Sequence, residues 1–148
     1  KSTMKRFSFS LFLFLFATIL SVNAQTSDLY KVIMNGTWVT DQEGVELNLW
    51  INDGKREFTI TEVGSLEQHY GIGGPLKAVK GKANTYTFTA KDDFNGFPYI
   101  FRGTITFTQI AGGKIKVSIK CPDPEDGYSL PHQLILHKPK PKGKKTRK

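Results

Sequence analysis

The stretch FPYIFRGTITFT, residues 97–108, decides the fold of this 148-residue chain. One parity of the stretch is apolar apart from a glycine, and it consists of Phe97, Tyr99, Phe101, Gly103, Ile105 and Phe107. From Arg102 onwards the other parity is polar and includes three threonines. A period of two residues is typical of a β-strand with one face in the core and one in solvent. Gly103 leaves a gap in the apolar row, which indicates a bend or a close approach of another segment.

Shorter runs before and after this stretch show the same alternation. Residues 45–51 and 56–63 flank Asn52-Asp53-Gly54, a tight-turn signal, and are therefore predicted to form a hairpin. The glycine-rich stretch 64–75 is predicted to be a loop, and no segment of the body shows a helical repeat of apolar residues. The predicted strands are 35–40, 45–51, 56–63, 76–82, 85–90, 97–108, 115–119 and a last strand around Leu134 and Leu136.

The predicted fold class is all-β, an antiparallel meander of about eight strands. A sheet with one apolar face buries that face either by closing into a small up-and-down barrel or by folding into a two-layer β-sandwich. The strand order looks sequential and no long crossover is evident. The barrel is therefore favoured over the sandwich.

The chain divides into three parts. Residues 1–24 carry positive charge at Lys5 and Arg6, then an apolar run, and end at Ala24, which is the pattern of a cleavable signal peptide. A membrane anchor is the alternative, but the apolar run is shorter than the ~20 residues that a helix needs to cross a bilayer. The sequence therefore predicts an exported protein, periplasmic or extracellular, with a β-barrel domain over 25–137 and a tail over 138–148.

The positive charge of the chain belongs to its tail. The chain has 21 basic and 13 acidic residues, a formal net charge of +8. Residues 1–24 and 138–148 hold 10 of the basic residues and none of the acidic ones, so the body is slightly acidic. The tail has no apolar side chain besides proline and is predicted to be disordered, either as a solubilising extension or as an arm for an anionic surface. No specific nucleic acid is expected, because the body lacks a basic face with interleaved aromatic residues.

No motif in the body indicates catalysis or metal binding. The three histidines, His69, His132 and His137, lack the spacing of a zinc site, and the acidic loops lack the spacing of a calcium site. The single cysteine, Cys121, has no recognisable histidine partner in the sequence. The sequence therefore predicts no metal, no cofactor and no enzymatic activity.

A short motif opens the first predicted strand. Asn35-Gly36-Thr37-Trp38 contains Gly-x-Trp, which resembles the first-strand signature of the lipocalins and their avidin-like relatives, the calycin group. The resemblance implies an eight-stranded barrel in which Trp38 is a structural plug at one end, Gly36 is a close-packing position, and the opposite mouth admits a small apolar ligand. Lipocalins usually place an arginine from a late strand over this tryptophan, and the last strand here offers His132, His137 and Lys138 instead. Biotin is not expected, because the chain has only two tryptophans.

The expected function is non-enzymatic binding of a small hydrophobic or amphipathic ligand in the barrel mouth. The aromatic residues of the apolar rows are the candidate ligand-binding residues: Tyr86, Phe88, Tyr99, Phe101 and Phe107. The alternative is a protein-interaction module, such as a protease inhibitor or an envelope assembly factor, that acts through loops 64–75 and 122–131. No particular protein partner is indicated.

Deletion of residues 138–148 is predicted to leave the thermal stability of the barrel essentially unchanged, because the tail has nothing to bury. The deletion should abolish any binding to heparin or anionic vesicles, and binding by the full chain should weaken as salt shortens the Debye length to about 8 Å. Calorimetry and vesicle co-sedimentation measure the two effects. A loss of many degrees on truncation, or salt-insensitive binding by the truncated body, would contradict the assignment.

Overall fold

The computed structural model describes residues 27–63, 69–92, 99–122 and 130–141. Within these residues the chain forms one α-helix, α1 (Leu29–Met34), and eight strands. The strands are β1 (Val39–Thr40), β2 (Val45–Asn52), β3 (Lys55–Val63), β4 (His69–Ala78), β5 (Thr85–Asp92), β6 (Tyr99–Ile110), β7 (Lys114–Lys120) and β8 (Gln133–His137). The predicted signal peptide and the last seven residues of the tail lie outside the described residues. No helix in the described part of the chain is long and apolar enough to span a bilayer.

The eight strands form one antiparallel sheet in the order β1-β8-β7-β6-β5-β4-β3-β2. From β2 to β8 each strand pairs with the next one along the chain, and β1 returns to pair with β8 through Val39↔His137 and Thr40↔Leu136. This order confirms the predicted meander and rolls the sheet into a nearly closed barrel rather than a sandwich. β1 and β2 stand at the two edges of the sheet and do not pair with each other. We call the gap between β1 and the free edge of β2 the seam.

The predicted hairpin is β2–β3, and its turn is the one that the sequence indicates. Asn52 pairs with Lys55, and the two residues between them, Asp53 and Gly54, have φ angles of 47° and 74°. Positive φ at both central residues is the type I′ geometry, whose twist matches that of the flanking strands. The register that follows places Leu49 opposite Phe58 on the inner face.

The apolar parity of residues 97–108 points into the barrel, as predicted, over the part that the structure describes. Phe101, Ile105 and Phe107 are at most 2% exposed, whereas Arg102 on the other parity is exposed. Trp50, on the polar parity of β2, lies on the outside. Side chains from seven strands and from α1 fill the interior, which is a single hydrophobic core.

Two phenylalanine residues inside the barrel pair with glycines on neighbouring strands. Gly74 pairs with Phe58 and Gly103 pairs with Phe88, and the two phenylalanine rings meet edge to face with centroids 5.1 Å apart. A Cβ on Gly103 would overlap the backbone oxygen of Lys120 and lie 3.0 Å from the Phe88 ring. The glycine therefore lets β6 lie close to the end of β7 while a ring occupies the adjacent space, which is the close approach that the sequence predicts as one of two alternatives.

Three sequence predictions are wrong in extent. Residues 69–75 belong to β4 and are not a loop, because Gly73 and Gly74 lie against the backbone oxygens of Phe58 and Thr89, where a Cβ has no space. These glycines serve close strand packing, which a single sequence does not distinguish from a flexible loop. The strand predicted at 76–82 is the end of β4, and the chain turns after Ala78. The opening strand predicted over 35–40 is reduced to the two residues of β1.

The absence of a helix in the body was also predicted wrongly. The side chain of Asp28 accepts a hydrogen bond from the Lys31 N–H at 3.5 Å and caps the first turn of α1. Leu29, Tyr30 and Ile33 are buried, so one side of this short helix faces the barrel. An aspartate in a capping position, followed by apolar residues at 29, 30 and 33, is a helix signal. Six residues are too few, however, to show a clear helical period.

Replacement of Gly103 by alanine should destabilise the barrel by about 1–3 kcal/mol, because the methyl group forces backbone shifts in a packed sheet. Gly71→Ala is the matched control within a strand, since a Cβ there meets only Thr59 Cγ2, at 3.9 Å. Urea unfolding followed by circular dichroism measures both variants. Equal stability of the two variants would show that β6 does not need a glycine at position 103.

Candidate binding site

The barrel has two ends with different construction. At the helix end lie the turns 53–54, 79–84 and 111–113, and α1 packs across this end. The opposite end, which we call the loop end, holds the turn 41–44 and the described residues 121–122 and 130–132. Residues 64–68, 93–98 and 123–129 lie outside the described residues.

Tyr30 of α1 closes the helix end. It is fully buried, with its ring 5.9 Å from the Tyr86 ring and 6.5 Å from the Phe107 ring, centroid to centroid. Its hydroxyl donates to the backbone oxygen of Trp50 and accepts from the Glu57 N–H at 3.0 Å. The side chain therefore fills the barrel and joins the helix to the backbones of β2 and β3.

Arg56 of β3 holds the helix in place from the barrel wall. Its Nη2 lies 2.5 Å from Asp28 Oδ2, and its Nη1 donates to the Tyr86 hydroxyl. The guanidinium carbon is also 4.8 Å from the centre of the Tyr30 ring and 5.3 Å from that of Tyr86. Because Asp28 and Arg56 are both only partly exposed, the pair is protected from full screening by solvent. One cation thus connects the helix cap to two aromatic rings.

Asn84 fixes the start of the helix from the turn before β5. Its side-chain oxygen accepts the Leu29 N–H at 2.9 Å, and its amide nitrogen donates to the Ser27 oxygen at 3.1 Å. Asn84 has a φ of 50°, a left-handed conformation that asparagine tolerates better than most residues. Polar groups of β2, β3 and the turn before β5 therefore all bond to α1 or to the residues just before it.

Trp38, the predicted plug, lies beside the helix. Its Nε1 donates to the Val32 oxygen at 3.3 Å, and the Lys138 Nζ lies 3.9 Å from the ring centre. A Cβ on Gly36 would be 2.5 Å from that Nε1, so Gly36 does occupy a close-packed position. Lys138 takes the place over the ring that the resemblance gives to an arginine. A truncation that begins at residue 139 keeps this contact, whereas deletion of 138–148 removes it.

The five candidate ligand-binding residues come together on β5 and β6 but fall into two groups. Tyr86, Phe88 and Phe107 are at most 4% exposed and pack against Tyr30 or Phe58, so they fill the half of the barrel next to α1. Phe101 and Tyr99 lie nearer the loop end, and Tyr99 is only half-buried. Tyr86 also has a polar partner, Arg56, that sequence reasoning did not indicate.

Two clefts lie along the seam. The first, of 370 Å³, is bounded by β1, the turn 41–44 and β2, and the second, of 270 Å³, lies between the end of α1 and β2. Trp38, Leu47 and Asn48 line both clefts. Sequence reasoning missed this site, because it exists only where two edges of the sheet fail to pair.

A third depression, at the loop end, holds the cysteine. It is shallow, measures 560 Å³, and is lined by Ser118, Ile119, Lys120, Cys121, Pro122 and His132. The Cys121 Sγ lies 3.4 Å from the Arg102 oxygen. Across the described ranges, no three histidine, cysteine or acidic side chains gather closely enough to hold a metal ion.

The free energy of unfolding should fall as the pH rises above about 10. Burial raises the pKa of Tyr30 and of Tyr86 above the usual value of 10.0, although Arg56 partly opposes the rise. The unfolded chain therefore loses these protons at lower pH than the folded chain, so their stabilisation is complete below pH 10 and lost as pH climbs through the folded pKa values. Urea unfolding at pH 9 and pH 11 measures the loss, which should be smaller in Tyr86→Phe. An identical loss in the variant would contradict the role of Tyr86.

The architecture is a nearly closed barrel of eight antiparallel strands, with a helix across one end and clefts along its seam. This arrangement is compatible with a calycin-like fold. Comparison of the chain with protein-family models, curated proteins and solved structures found no match.

Proposed function

We propose that this protein is a non-enzymatic, exported binding protein with a calycin-like barrel that takes a small hydrophobic or amphipathic ligand at the loop end. The observation that carries the proposal is the change along the inward row of β6. Phe107 and Phe101 are sealed in the core, whereas Tyr99, at the loop end, is half-buried. An aromatic side chain that is partly open to solvent on an otherwise apolar row is a suitable contact for such a ligand.

The helix end is unsuitable for a ligand. Admission there would require removal of Tyr30 from the core, together with its hydrogen bonds to β2 and β3 and the ion pair between Arg56 and Asp28. Breaking the hydrogen bonds of the Tyr30 hydroxyl would cost about 1–3 kcal/mol for each polar group left unpaired in the core. A ligand is therefore expected at the opposite end of the barrel.

The side chains indicate the size and chemistry of the ligand. Tyr86, Phe88, Phe101 and Phe107 are at most 4% exposed, so Tyr99 is the one of the five candidate residues with surface left for contact. The Tyr99 side chain combines an apolar ring with a polar hydroxyl. This combination suits a compact ligand with an apolar body and one polar group.

The calycin-like assignment is supported by the first and last strands. Trp38 precedes β1, Gly36 packs against its indole nitrogen, and Lys138, which follows β8, places its ammonium over the ring. A cation over the first-strand tryptophan is what the resemblance implies. The signal-like segment 1–24 supports export, and the basic tail supports contact with an anionic surface.

The alternative, a protein-interaction module that acts through 64–75 and 122–131, stays a prediction, since 64–68 and 123–129 lie outside the described residues. Residues 69–75 are part of β4, and Leu130 is 4% exposed. A different surface, the seam, has features that suit a protein partner.

Tyr99→Ala should weaken binding of 1-anilinonaphthalene-8-sulfonate, an apolar fluorophore with one anionic group, by about 10-fold. The loss corresponds to ~1.4 kcal/mol, the scale of one aromatic contact. Ile100→Ala is the matched control, because Ile100 is the exposed neighbour on the outer face of the same strand. Fluorescence titration measures affinity, and circular dichroism verifies that each variant is folded. Equal affinities of the two variants, or no saturable binding by the folded wild type, would refute a ligand site at the loop end.

A further inference from the structure

The free edge of β2 presents backbone groups without a strand partner. Because the β2–β3 hairpin closes at Asn52↔Lys55, the even residues of β2 exchange hydrogen bonds with β3, and the odd residues direct their N–H and C=O groups toward the seam. Val45 is satisfied there, by the Gln42 oxygen at 3.2 Å and the Thr40 hydroxyl at 2.5 Å. Leu47 and Leu49 follow on the same edge and have no strand beside them among the described residues.

Open space lies directly beside these backbone groups. The 370 Å³ cleft borders Val45 to Asn48, and the 270 Å³ cleft borders Leu47 to Leu49. The opposite walls are β1 and the segment between α1 and β1, which includes Gly36 and Trp38. The seam is thus a slot with two walls, one of which is an unpaired strand edge.

A single extended peptide is the occupant that fits this slot. A row of unpaired N–H and C=O groups at strand spacing is satisfied by another strand, which is the physical basis of β-strand addition. The β2 edge of a second copy is a poorer fit, because the end of α1 and Trp38 stand opposite the edge and would meet the second barrel. The tail of this chain is also a poor fit, because Pro139 and Pro141 lack the N–H that pairing requires.

The lining residues indicate the side chains of that peptide. Leu47, Leu49 and Leu136 lie on the inner side of the slot and suit apolar side chains. Glu43 and Glu46 are exposed, and the residues that line the two clefts include no lysine, arginine or histidine. Since strand side chains alternate, a partner with apolar and basic residues in alternation matches both faces. Lys138 covers Trp38 toward the helix end, so the basic residues are expected toward Glu43 and Glu46.

Exposed apolar side chains flank the seam. Val39 of β1 is 38% exposed, and Trp50 and Ile51 at the end of β2 are 37% and 46% exposed. Large apolar residues that are open to solvent beside an unpaired edge are characteristic of a protein-binding surface. These residues extend the slot and give the flanks of a bound peptide an apolar surface.

We propose that the seam binds an extended segment of a partner protein, in which apolar and basic residues alternate, as an added β-strand on the free edge of β2. The site is separate from the ligand site at the loop end and does not depend on it. Backbone pairing at Leu47 and Leu49 supplies the affinity. Leu47, Leu49 and Leu136 on one face and Glu43 and Glu46 on the other supply the specificity.

The test uses the chain without residues 1–24 and a six-residue peptide that alternates valine and lysine and is blocked at both ends. Two control peptides are a valine–glutamate version and a version of the valine–lysine peptide with alternate backbone nitrogens methylated. Calorimetry measures affinity, and hydrogen exchange reports the amides of Leu47 and Leu49. The first peptide should bind and protect both amides, and both controls should bind at least 10-fold more weakly. Equal binding by the methylated peptide would refute strand addition.

Glu46→Lys, at an exposed position in the slot, should weaken the valine–lysine peptide about 10-fold. Thr108→Lys is the control, because it places a positive charge on an exposed site of β6, four strands away. An equal effect of both variants would show non-specific attraction and refute the site.

Concentration-dependent dimerisation that protects Leu47 and Leu49 would identify a second copy as the occupant. Loss of that protection on deletion of 139–148 would identify the tail. Either result would overturn the proposal, and neither would affect binding of the fluorophore at Tyr99.

Discussion

The hydroxyl of Tyr30 is the contact on which the rest of the structure depends. A fully buried phenol needs hydrogen-bond partners, and this one finds them in the backbones of Trp50 and Glu57, on two neighbouring strands. The position of the hydroxyl fixes the ring inside the barrel and the helix across its end. Arg56 then has an aromatic surface to stack on and an acidic cap to pair with. Closure of this end by one side chain is the reason why we propose a ligand site at the loop end.

The interior is filled by large rings, and the sheet adapts to them with glycine. Phe58 pairs with Gly74 and Phe88 pairs with Gly103, and the barrel holds the two phenylalanine rings edge to face, with centroids 5.1 Å apart. The same lack of Cβ atoms lets the backbones approach closely and coil the sheet. Each of these two phenylalanines therefore lies opposite a glycine on the neighbouring strand. Their pairing makes the inner half of the barrel a solid core, not a cavity.

The seam remains open because the chain before β1 is engaged elsewhere. Trp38 donates to the helix at Val32 and supports Lys138 on its ring, so it does not continue β1 alongside β2. With only two residues in β1, the edge of β2 beyond Val45 has no strand beside it among the described residues. An edge of this kind favours pairing with another chain unless it is short or covered. The hydrogen bond from Trp38 to Val32 therefore holds this segment against the helix and, by doing so, leaves the edge of β2 without a strand beside it among the described residues.

The sequence by itself determined the strands other than β1 and β4, the β2–β3 turn and the face that these strands bury. These features follow from alternation between near neighbours and from the positive φ that Asp53-Gly54 adopts. It also indicated that another segment approaches closely at Gly103. Only the tertiary structure decided the rest. The helix is too short to show a period and is held by Arg56 and Asn84, which are distant in sequence. The glycines of β4 predict a loop from the sequence alone, because their close contacts with neighbouring strands appear only in the tertiary structure. Which aromatic residues are buried and which are half-buried depends on the end of the barrel that the helix covers. The seam depends on two sheet edges that do not pair. Neither feature can be predicted from the local sequence pattern, because both depend on contacts between distant segments.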